Sequence, residues 1–360
     1  MNDTPYLTVD VGRLDRNIHA VATRAAVAGL DLRPHAKTHK SVEIARRQLD
    51  AGAVGLTVAT IGEAEAFAAA HVSGDADLFI AYPLWVTEHK GARLRTLAAA
   101  TRLRVAVDSV DGANRLAAEV GDADIEVLVE VDSGQHRTGV PPEDAGTLAF
   151  AATRAGLRVV GVFTFPGHGY GPGDARRRAA EQEAAALEMA AQQLRDNGID
   201  PIVRSGGSTP TIEYAGSDVL TEIRPGVYPF GDAQQMELGT ATADDIALTA
   251  VATVVHRTGN RIVTDAGSKI LGADRPAWAP GFGRLLDHPD ARITSLSEHH
   301  AVIEFDDTTG DVGPLPVPGD RVRVVPNHVC TAVNLVDGVI AVTADGVEEH
   351  WPVIARGANA

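Results

Sequence analysis

The sequence predicts an α/β fold class: a (β/α)8 barrel of the TIM type, followed by a C-terminal β-rich domain. Eight short runs of β-branched residues alternate with Ala-rich, helix-favouring stretches up to residue 224, which is the pattern of a parallel barrel. No G-x-G-x-x-G segment follows the first predicted strand, which disfavours a dinucleotide-binding sheet. After residue 232, short apolar runs are separated by Gly, Pro and Asp turns, and this texture predicts an all-β domain.

The predicted elements follow in order along the chain. A leading helix is expected at 11–28. The barrel strands are predicted at 31–37, 55–59, 78–82, 104–107, 125–131, 159–165, 202–204 and 221–224. Helices are predicted between them at 41–51, 62–70, 86–99, 110–120, 142–155 and 176–197, the last with Glu181, Glu183 and Glu188 on exposed turns. The strands of the second domain are predicted at 251–256, 261–265, 301–305, 320–325, 331–336 and 339–342.

The predicted domain boundary follows the change of texture. The barrel is expected at 11–235, and the β-rich domain at 236–360, with residues 1–10 joining it. No tandem repeat beyond the period of the barrel is present, and no low-complexity linker separates the two parts.

Composition excludes several classes of function. The formal net charge of −16 argues against a nucleic acid or an anionic membrane surface as the main partner. The single cysteine, Cys330, excludes an intrachain disulfide framework. No apolar run is long enough to span a bilayer, and no secretory leader is evident. We therefore expect a soluble cytoplasmic protein.

Lysine is scarce, which draws attention to Lys37. Only four lysines occur (Lys37, Lys40, Lys90 and Lys269), and the other 28 basic residues are arginines. A desolvated lysine amine can form a Schiff base with an aldehyde, which a guanidinium cannot do. Lys37 ends the first predicted strand, and barrel active sites lie at the carboxyl ends of the strands. Lys37 is therefore a candidate catalytic residue.

Chemically distinctive residues follow several other predicted strands at the same end of the barrel. Asp132, Ser133, Gly134, Gln135, His136 and Arg137 follow the fifth strand; Pro166, Gly167, His168, Gly169 and Tyr170 follow the sixth; Ser205, Gly206, Gly207, Ser208 and Thr209 follow the seventh; Arg224, Pro225 and Gly226 follow the eighth. Folding requirements alone do not account for so many such segments at one rim.

The glycine-rich segment made of Ser205, Gly206, Gly207, Ser208 and Thr209 is a candidate phosphate site. Paired glycines let backbone N–H groups approach an anion, and barrels often bind phosphate after the seventh and eighth strands. The alternative is an ordinary N-capped turn started by Ser208 or Thr209. The presence of Lys37 at the same rim favours phosphate.

His328 and Cys330 form a candidate metal pair. On a strand, positions i and i+2 point to the same face, so an imidazole nitrogen and a thiolate would converge. Two protein ligands are too few for a structural zinc site and would leave positions open for water or substrate. The alternative is a buried cysteine beside a satisfied histidine, and the two interpretations stand about even.

The other histidines carry weaker signals. His35 shares the predicted strand face of Lys37, although a packed core histidine is the simpler interpretation. His39 has no assigned role. Glu298, His299 and His300 could add a ligand, but a capped turn is favoured over metal binding.

Five segments give the chain a resemblance to a known family. They are Arg33-Pro34-His35-Ala36-Lys37-Thr38-His39-Lys40, Asp132-Ser133-Gly134-Gln135-His136-Arg137-Thr138-Gly139, Ser205-Gly206-Gly207-Ser208-Thr209, Arg224-Pro225-Gly226-Val227-Tyr228 and Pro326-Asn327-His328-Val329-Cys330. Over essentially its whole length the chain resembles the D-threonine aldolase and D-serine dehydratase family. These are fold-type III pyridoxal-phosphate enzymes with an alanine-racemase-like barrel and a C-terminal β domain.

The resemblance implies roles for residues around a pyridoxal 5'-phosphate cofactor. Lys37 would hold the cofactor as a Schiff base, and Arg137 would contact its phenolic oxygen. Arg224 would face the pyridine nitrogen and keep it unprotonated, which weakens the ring as an electron sink. The phosphate would be held by Ser205, Gly206, Gly207, Ser208 and Thr209, with Tyr170 and Tyr228 in the cofactor set. Lys40 is expected outside the site.

The resemblance also implies a metal-assisted lyase reaction. His328 and Cys330 match the metal pair of the family, and a thiolate favours zinc over manganese or magnesium. The substrate would be a D-3-hydroxy amino acid whose 3-hydroxyl the metal activates. Loss of hydroxide after Lys37 removes the α-proton would give a keto acid and ammonia, whereas retro-aldol cleavage would give glycine and an aldehyde. The His-x-Cys pair favours dehydration, and His168 is a candidate acid or base.

Two other functions stay open at the level of sequence. One is an amino-acid racemase, although no racemase-like Tyr-Gly segment is found for the opposite face of the cofactor. The other is a non-catalytic pyridoxal-phosphate carrier, against which the β domain and its metal pair argue. A homodimer is expected, because this fold usually places its site at a subunit interface.

Overall fold

The computed structural model describes residues 3–72, 77–305 and 315–360, and these divide into two compact units. The first, the barrel unit, comprises Ala20–Lys37, Val42–Gly226 and Gly357–Ala360. The second, the β unit, comprises the described residues of Met1–His19 with Thr38–Ser41 and Val227–Arg356. In the described part of the chain, no helix is both long and apolar enough to cross a membrane.

An eight-stranded parallel sheet surrounded by helices forms the barrel unit. The chain enters through β1 (Tyr6–Asp10) and α1 (Val11–Val27). The barrel strands are β2 (Asp31–Leu32), β3 (Leu56–Val58), β4 (Asp77–Pro83), β5 (Arg102–Val107), β6 (Ile125–Glu130), β7 (Arg158–Phe163), β8 (Val203–Gly206) and β9 (Glu222–Ile223). The helices are α2 (Val42–Asp50), α3 (Ile61–Ala69), α4 (Glu88–Ala100), α5 (Val110–Val120), α6 (Ala145–Arg154) and α7 (Ala175–Asp196). The strand order is β2-β9-β8-β7-β6-β5-β4-β3.

Backbone contacts between the two ends of this sheet close it. Val54 N donates to Leu32 O at 2.9 Å, Thr57 N donates to Pro34 O at 2.8 Å, and His35 forms a parallel bridge with Thr57. The strands read as continuous apolar runs because both faces are buried, with helices outside and packed side chains inside. Phe79 and Phe163 fill the interior with an edge-to-face contact at 5.0 Å.

The β unit is built on one nine-stranded, largely antiparallel sheet. Besides β1, its strands are β10 (Leu248–Thr258), β11 (Arg261–Thr264), β12 (Gly283–Leu285), β13 (Arg292–Leu296), β14 (Ala301–Glu304), β15 (Arg321–Pro326), β16 (Gly338–Val342) and β17 (Glu348–Pro352). Its helices are α8 (Ala233–Glu237), α9 (Ser268–Leu271) and α10 (Val329–Asn334). The strand order is β11-β14-β13-β12-β15-β10-β1-β16-β17, so β1 lies between an antiparallel and a parallel neighbour.

The predicted fold class is confirmed, but two element assignments are wrong. The first strand ends at Leu32, although single backbone hydrogen bonds continue to His35, and Lys37 lies in a 3-10 helix at Ala36–Thr38. The run at 331–336 is not a strand but most of α10, whose buried face carries Val329, Ala332 and Val333. That i, i+3, i+4 spacing is helical, and the β-branched composition concealed it.

Candidate active site

The carboxyl ends of the barrel strands enclose a cavity of about 310 Å³. Its walls are formed by His35, Lys37, Ala59, Ala81, Tyr82, Arg137, Thr138, Phe165 and Arg224. Three residues predicted from the sequence therefore share one space: Lys37, Arg137 and Arg224. Two further segments of chain hold the Lys37 turn, since His35 N donates to Pro225 O at 3.0 Å and Thr57 N to Pro34 O.

His35 supplies a neutral imidazole to the wall of this cavity. Burial and the positive charges of Lys37 and Arg224 hold the pKa of His35 well below its ordinary value. Its Nδ1 atom is buried and has no hydrogen-bond partner among the described residues. An orphaned polar atom in a cavity wall is a place where a bound ligand would form a hydrogen bond.

Arg137 reaches the cavity from the loop that follows β6. Its guanidinium lies over the ring of Phe165, 5.3 Å from the centroid. Asp132 shapes the loop, because its carboxylate accepts from Gly134 N at 2.9 Å and from His136 N at 3.0 Å. Although partial burial opposes it, these hydrogen bonds lower the pKa of Asp132. The carboxylate is therefore charged, and it holds the loop that carries Arg137.

Arg224 is almost fully buried, and its contacts fix the plane of its guanidinium. Nε donates to Ser205 Oγ at 2.8 Å, and Nη2 donates to Thr164 O. The guanidinium also lies over the rings of Phe79 and Phe163, 5.6 and 5.1 Å from their centroids. Burial lowers the pKa of Arg224 from its very high ordinary value. The side chain remains a cation that presents a fixed edge to the cavity.

Two backbone amides of the glycine-rich segment already form hydrogen bonds within the protein. Gly207 has a φ of +77° and donates its N–H to Glu183 Oε1 at 2.7 Å. Ser208 N donates to Thr211 Oγ1 at 3.0 Å, so the capped turn is present and begins a 3-10 helix at Thr209–Tyr214. A phosphate role for Gly206, Gly207, Ser208 and Thr209 stays a prediction, and two of the amides that would serve it already have partners.

A phosphate role for Ser205 stays a prediction for its backbone only, because its hydroxyl is occupied. It was predicted as a phosphate ligand, but its side chain is fully buried and points toward the sheet interior. Its Oγ accepts from Arg224 Nε and donates to Glu222 Oε1 at 2.6 Å. The hydroxyl therefore serves other protein groups and is not available to a phosphate.

Two buried carboxyl groups near the site escaped the sequence prediction. Glu183 was predicted to be exposed, but only 2% of it is accessible, because it falls within the apolar stripe of α7 between Ala179 and Ala186. Burial raises the pKa of Glu183 to about 7. Glu130 ends β6 and accepts from Thr138 Oγ1 at 2.9 Å, and burial raises its pKa to about 7 as well. The signal in the sequence was helical spacing, which places Glu183 on the same buried face as Ala179 and Ala186.

Three other predicted residues lie outside the lining of the cavity. His168 is in a 3-10 helix at Gly167–Gly169, where its Nε2 is 2.9 Å from Gln182 Oε1. Tyr170 packs near the cavity wall, 6.3 Å from the ring of Phe165. Tyr228 is buried in the β unit. Their roles stay predictions.

The β unit brings His328 and Cys330 together, although not on a strand. His328 is the N-cap of α10 and Cys330 is in its first turn. Burial opposes it, but the negative charge of Cys330, together with hydrogen bonds to Cys330 and Asp232, holds the pKa of His328 well above its ordinary value. His328 Nδ1 is 3.3 Å from Asp232 Oδ2, and Thr38 Oγ1 is 3.2 Å from Cys330 Sγ. The pair is thus a nitrogen and sulfur donor set that suits zinc.

The remaining metal candidates do not join this pair. Within the described ranges, no three His, Cys, Asp or Glu side chains are grouped so that they could hold a metal ion. His299 and His300 are exposed, and Glu298 forms an ion pair with Lys269 at 2.8 Å. His39 is buried and accepts from Ser41 N at 3.1 Å. A bound ion would take its other ligands from water or substrate.

The cavity fits pyridoxal phosphate in three respects. It provides one amine for an aldehyde, two guanidinium groups for the anionic oxygen and the ring nitrogen, and an orphaned His35 Nδ1 in the wall. Its volume falls at the lower end of the range of small-molecule sites. Lys37, Arg137 and Arg224 are therefore the residues that would hold the cofactor.

Comparison with known proteins agrees with this geometry. Residues 9–234 match the family described as "Alanine racemase, N-terminal domain", and residues 247–342 match the "Putative serine dehydratase domain". D-threo-3-hydroxyaspartate dehydratase of Delftia sp. (strain HT23) is 35% identical over 97% of this chain and 96% of its own. D-threonine aldolase of Arthrobacter sp. is 33% identical over 99% of this chain and 93% of its own.

Solved structures extend the similarity to three dimensions. The Delftia dehydratase superimposes with a TM-score of 0.87 at 34% identity, covering 98% of this chain and 97% of that one. A cysteine-to-alanine mutant of the same dehydratase, solved in its metal-free form, superimposes equally well. D-threonine aldolase from Filomicrobium marinum gives a TM-score of 0.85 at 31% identity, covering 99% of this chain and 96% of that one. The chain therefore belongs to the D-threonine aldolase and D-serine dehydratase family of fold-type III pyridoxal-phosphate enzymes.

Proposed function

We propose that the protein is a lyase that uses pyridoxal phosphate and a divalent metal to act on D-3-hydroxy amino acids. The observation that carries the proposal is the cavity in which the amine of Lys37 meets the guanidinium groups of Arg137 and Arg224. Relatives that align over nearly the whole chain are named as a dehydratase and an aldolase, and both reactions are lyase reactions.

Within the barrel unit, each of the three cations has a separate task. Bound pyridoxal phosphate would supply an aldehyde for Lys37 and a sink for the electrons released at the substrate α-carbon. Lys37 would hold the cofactor and, once the substrate has displaced it, move the α-proton on one face. Arg137 would donate to the phenolic oxygen of the cofactor. Arg224 would face the ring nitrogen and, being unable to give up a proton, keep that nitrogen unprotonated.

In the β unit, His328 and Cys330 would hold the metal. A divalent ion supplies a Lewis acid that makes the substrate 3-hydroxyl easier to deprotonate or to lose. The thiolate favours zinc over manganese or magnesium. The metal-free cysteine-to-alanine mutant of the Delftia dehydratase supports a metal in a full-length relative of this chain.

Dehydration is favoured over aldol cleavage. The His-x-Cys pair at His328 and Cys330 resembles that of the dehydratase branch of the family. The aldolases of the family more often have an aspartate in place of the cysteine. Dehydration would yield a keto acid and ammonia, and cleavage would yield glycine and an aldehyde. We also propose His168 as a candidate acid or base. A homodimer and a cytoplasmic location are further proposals.

A product assay tests the function. The purified protein with added pyridoxal phosphate is incubated with D-serine, D-threonine, D-threo-3-hydroxyaspartate and L-alanine, with zinc, with manganese, and after chelation. We expect keto acid and ammonia from the D-3-hydroxy amino acids only, and loss of turnover on chelation without loss of cofactor absorbance. Chiral inversion without keto acid or aldehyde would instead indicate a racemase. A cofactor absorbance spectrum that does not change on addition of any D-amino acid would indicate a non-catalytic carrier.

The metal pair has its own test within the same assay. Replacing Cys330 by aspartate is expected to shift products from keto acid toward glycine on D-threonine, because a carboxylate replaces the thiolate of the dehydratase-like pair. Cys330→Ala serves as the matched variant, which should lose activity without gaining glycine. Full turnover in the chelated wild-type protein would contradict the metal role.

A further inference from the structure

A buried chain of hydrogen bonds joins Arg224 to a cluster of charged side chains inside the barrel unit. Arg224 Nε donates to Ser205 Oγ at 2.8 Å, and the same hydroxyl donates to Glu222 Oε1 at 2.6 Å. The second carboxylate oxygen, Glu222 Oε2, accepts from Arg33 Nε at 2.6 Å and lies 3.4 Å from Arg104 Nη1. All five of these side chains are less than a tenth exposed.

The charge of each member makes the direction of this chain unambiguous. Burial would raise the pKa of Glu222, but Arg33 and Arg104 outweigh it and lower the pKa, so Glu222 is a carboxylate. A carboxylate can only accept, so the proton of Ser205 must point toward Glu222. The lone pairs of Ser205 then point toward Arg224, whose Nε–H can only donate. One arrangement of protons satisfies every group.

This arrangement holds the guanidinium of Arg224 in one orientation. Ser205 fixes Nε, Thr164 O accepts from Nη2, and Phe79 and Phe163 confine the group by their rings. Of these contacts, the Ser205 hydroxyl is the one whose direction is set by a neighbouring charge, the carboxylate of Glu222. Removing it frees rotation about the terminal bonds of Arg224 while leaving the aromatic walls in place.

We propose that Ser205 and Glu222 are positioning residues that orient Arg224 toward the ring nitrogen of the cofactor and so keep that nitrogen unprotonated. This inference rests on the proposed function of Arg224. Neither residue contacts the cavity, so both would act only through the arginine. Their effect should therefore appear in the electronic properties of the bound cofactor rather than in its attachment to Lys37.

The test compares cofactor spectra across the neutral pH range. Wild-type protein and the Ser205→Ala and Glu222→Gln variants are loaded with pyridoxal phosphate, and product formation from D-serine is measured in parallel. We expect Ser205→Ala to bind the cofactor but to change its absorbance maximum or the pH midpoint of its spectrum. The kcat should fall about tenfold with a smaller change in KM. Glu222→Gln should shift the spectrum in the same direction.

Two controls make the result specific. Glu126→Gln removes another carboxylate partner of Arg104, 2.8 Å from it, without touching Ser205, and should leave the spectrum unchanged. Ser205→Thr keeps a hydroxyl and should restore the wild-type pH profile. If the alanine variant does not fold, Ser205→Cys takes its place, because a thiol keeps the volume but accepts hydrogen bonds weakly.

The outcomes separate this inference from the proposed function. A Ser205→Ala variant with the spectrum and pH profile of the wild type overturns the positioning role, whatever the reaction is. A wild-type protein that binds the cofactor but forms no product contradicts the lyase proposal, while the spectra still decide the role of Ser205. A shift in Glu126→Gln equal to that in Glu222→Gln would also overturn it, because general perturbation of Arg104 would then suffice.

Discussion

The two ends of the barrel sheet use the same kinds of charged residue in opposite ways. At the amino ends of the strands, arginines and carboxylates pair with each other in what we call the amino-end network: Arg33, Asp77, Arg104, Glu126 and Glu222. The N···O distances of its three closest pairs are 2.6 to 2.8 Å. At the carboxyl ends, Lys37, Arg137 and Arg224 line a cavity.

This difference shows how charged residues that stabilise the sheet can be told from charged residues that are suited to bind a ligand. In the amino-end network, each cation has carboxylates of the same chain beside it, so the opposite charges attract each other and hold strands together. Around the cavity, three cations converge on a space large enough for a ligand. A preorganised cluster of positive charge is suited to bind an anionic cofactor and to stabilise charge that develops on it.

Removing the cavity amine should have the largest effect. Lys37→Ala is expected to abolish the visible absorbance of bound pyridoxal phosphate and to lower product formation by at least about a thousandfold, because in the proposed function the amine would both hold the cofactor and move a proton. Absorbance spectroscopy and the product assay measure this. A normal cofactor absorbance in the variant would refute the assignment of Lys37.

Lys40 provides the control for this experiment. Its Nζ donates to Asn334 Oδ1 at 2.7 Å and to Ala355 O at 3.2 Å, so it serves the β unit. Lys40→Ala should keep the cofactor absorbance and lose about 1 to 3 kcal/mol of stability, because one buried and one partly buried acceptor lose this donor.

At the opposite end, breaking the amino-end network should cost stability. Arg33→Met leaves Asp77 and Glu222 without one of their partners, and breaking a buried ion pair costs about 3 to 5 kcal/mol. Urea unfolding of the cofactor-free protein measures the loss. Arg195 is the matched control, since it is exposed and pairs with Glu188 at 3.5 Å, outside the network, and Arg195→Met should cost no more than about 1 kcal/mol. Equal losses in the two variants would remove the distinction between the paired and the exposed arginine.

The buried carboxyl at the cavity end predicts a smaller, pH-dependent effect. Burial raises the pKa of Glu183 from 4.5 to about 7, so the folded protein binds this proton more tightly than the unfolded chain. Stability should therefore fall as pH rises from about 4.5 to about 7 and stay lower above that range. Glu183→Gln should remove this loss and be more stable near neutral pH by up to about 3 kcal/mol, one pKa unit being worth about 1.4 kcal/mol.

Unfolding curves of cofactor-free protein at several pH values measure this effect. Glu181→Gln is the matched control, because Glu181 lies on the same helix but is exposed and paired with Arg177. Its stability should follow pH as the wild type does. If the Glu183→Gln curve also runs parallel to the wild type, the raised pKa is wrong.

Much of the fold was predictable because the barrel repeats one pattern. Buried parallel strands such as β5 and β6 are short runs rich in Val, Leu and Ile, and the helix between them starts at a capping residue, Ser109. The first strand is shorter than predicted because the chain turns into a 3-10 helix at Ala36–Thr38. The run at 331–336 was misassigned because β-branched residues form helices when packing demands it.

The candidate site was predictable only where a motif carried it. Lys37, Arg137 and Arg224 follow strands and stand out by residue type, and the structure places them in one cavity. The convergence of His328 and Cys330 was predicted from the wrong secondary structure, since an N-cap and the first turn of a helix also bring i and i+2 together. The direction of the Ser205 hydroxyl and the burial of Glu183 depend on strand register and helix rotation, which no local pattern fixes.

Glu222 belongs to both ends that the comparison separates. One of its oxygens binds the arginines of the amino-end network, and the other accepts from Ser205, which holds Arg224. Any substitution at this position would change the stability of the barrel and the chemistry of the cavity together. Evolution therefore faces a trade-off at this position. A substitution of Glu222 that altered the electronic properties of the cofactor would also alter the stability of the closed barrel.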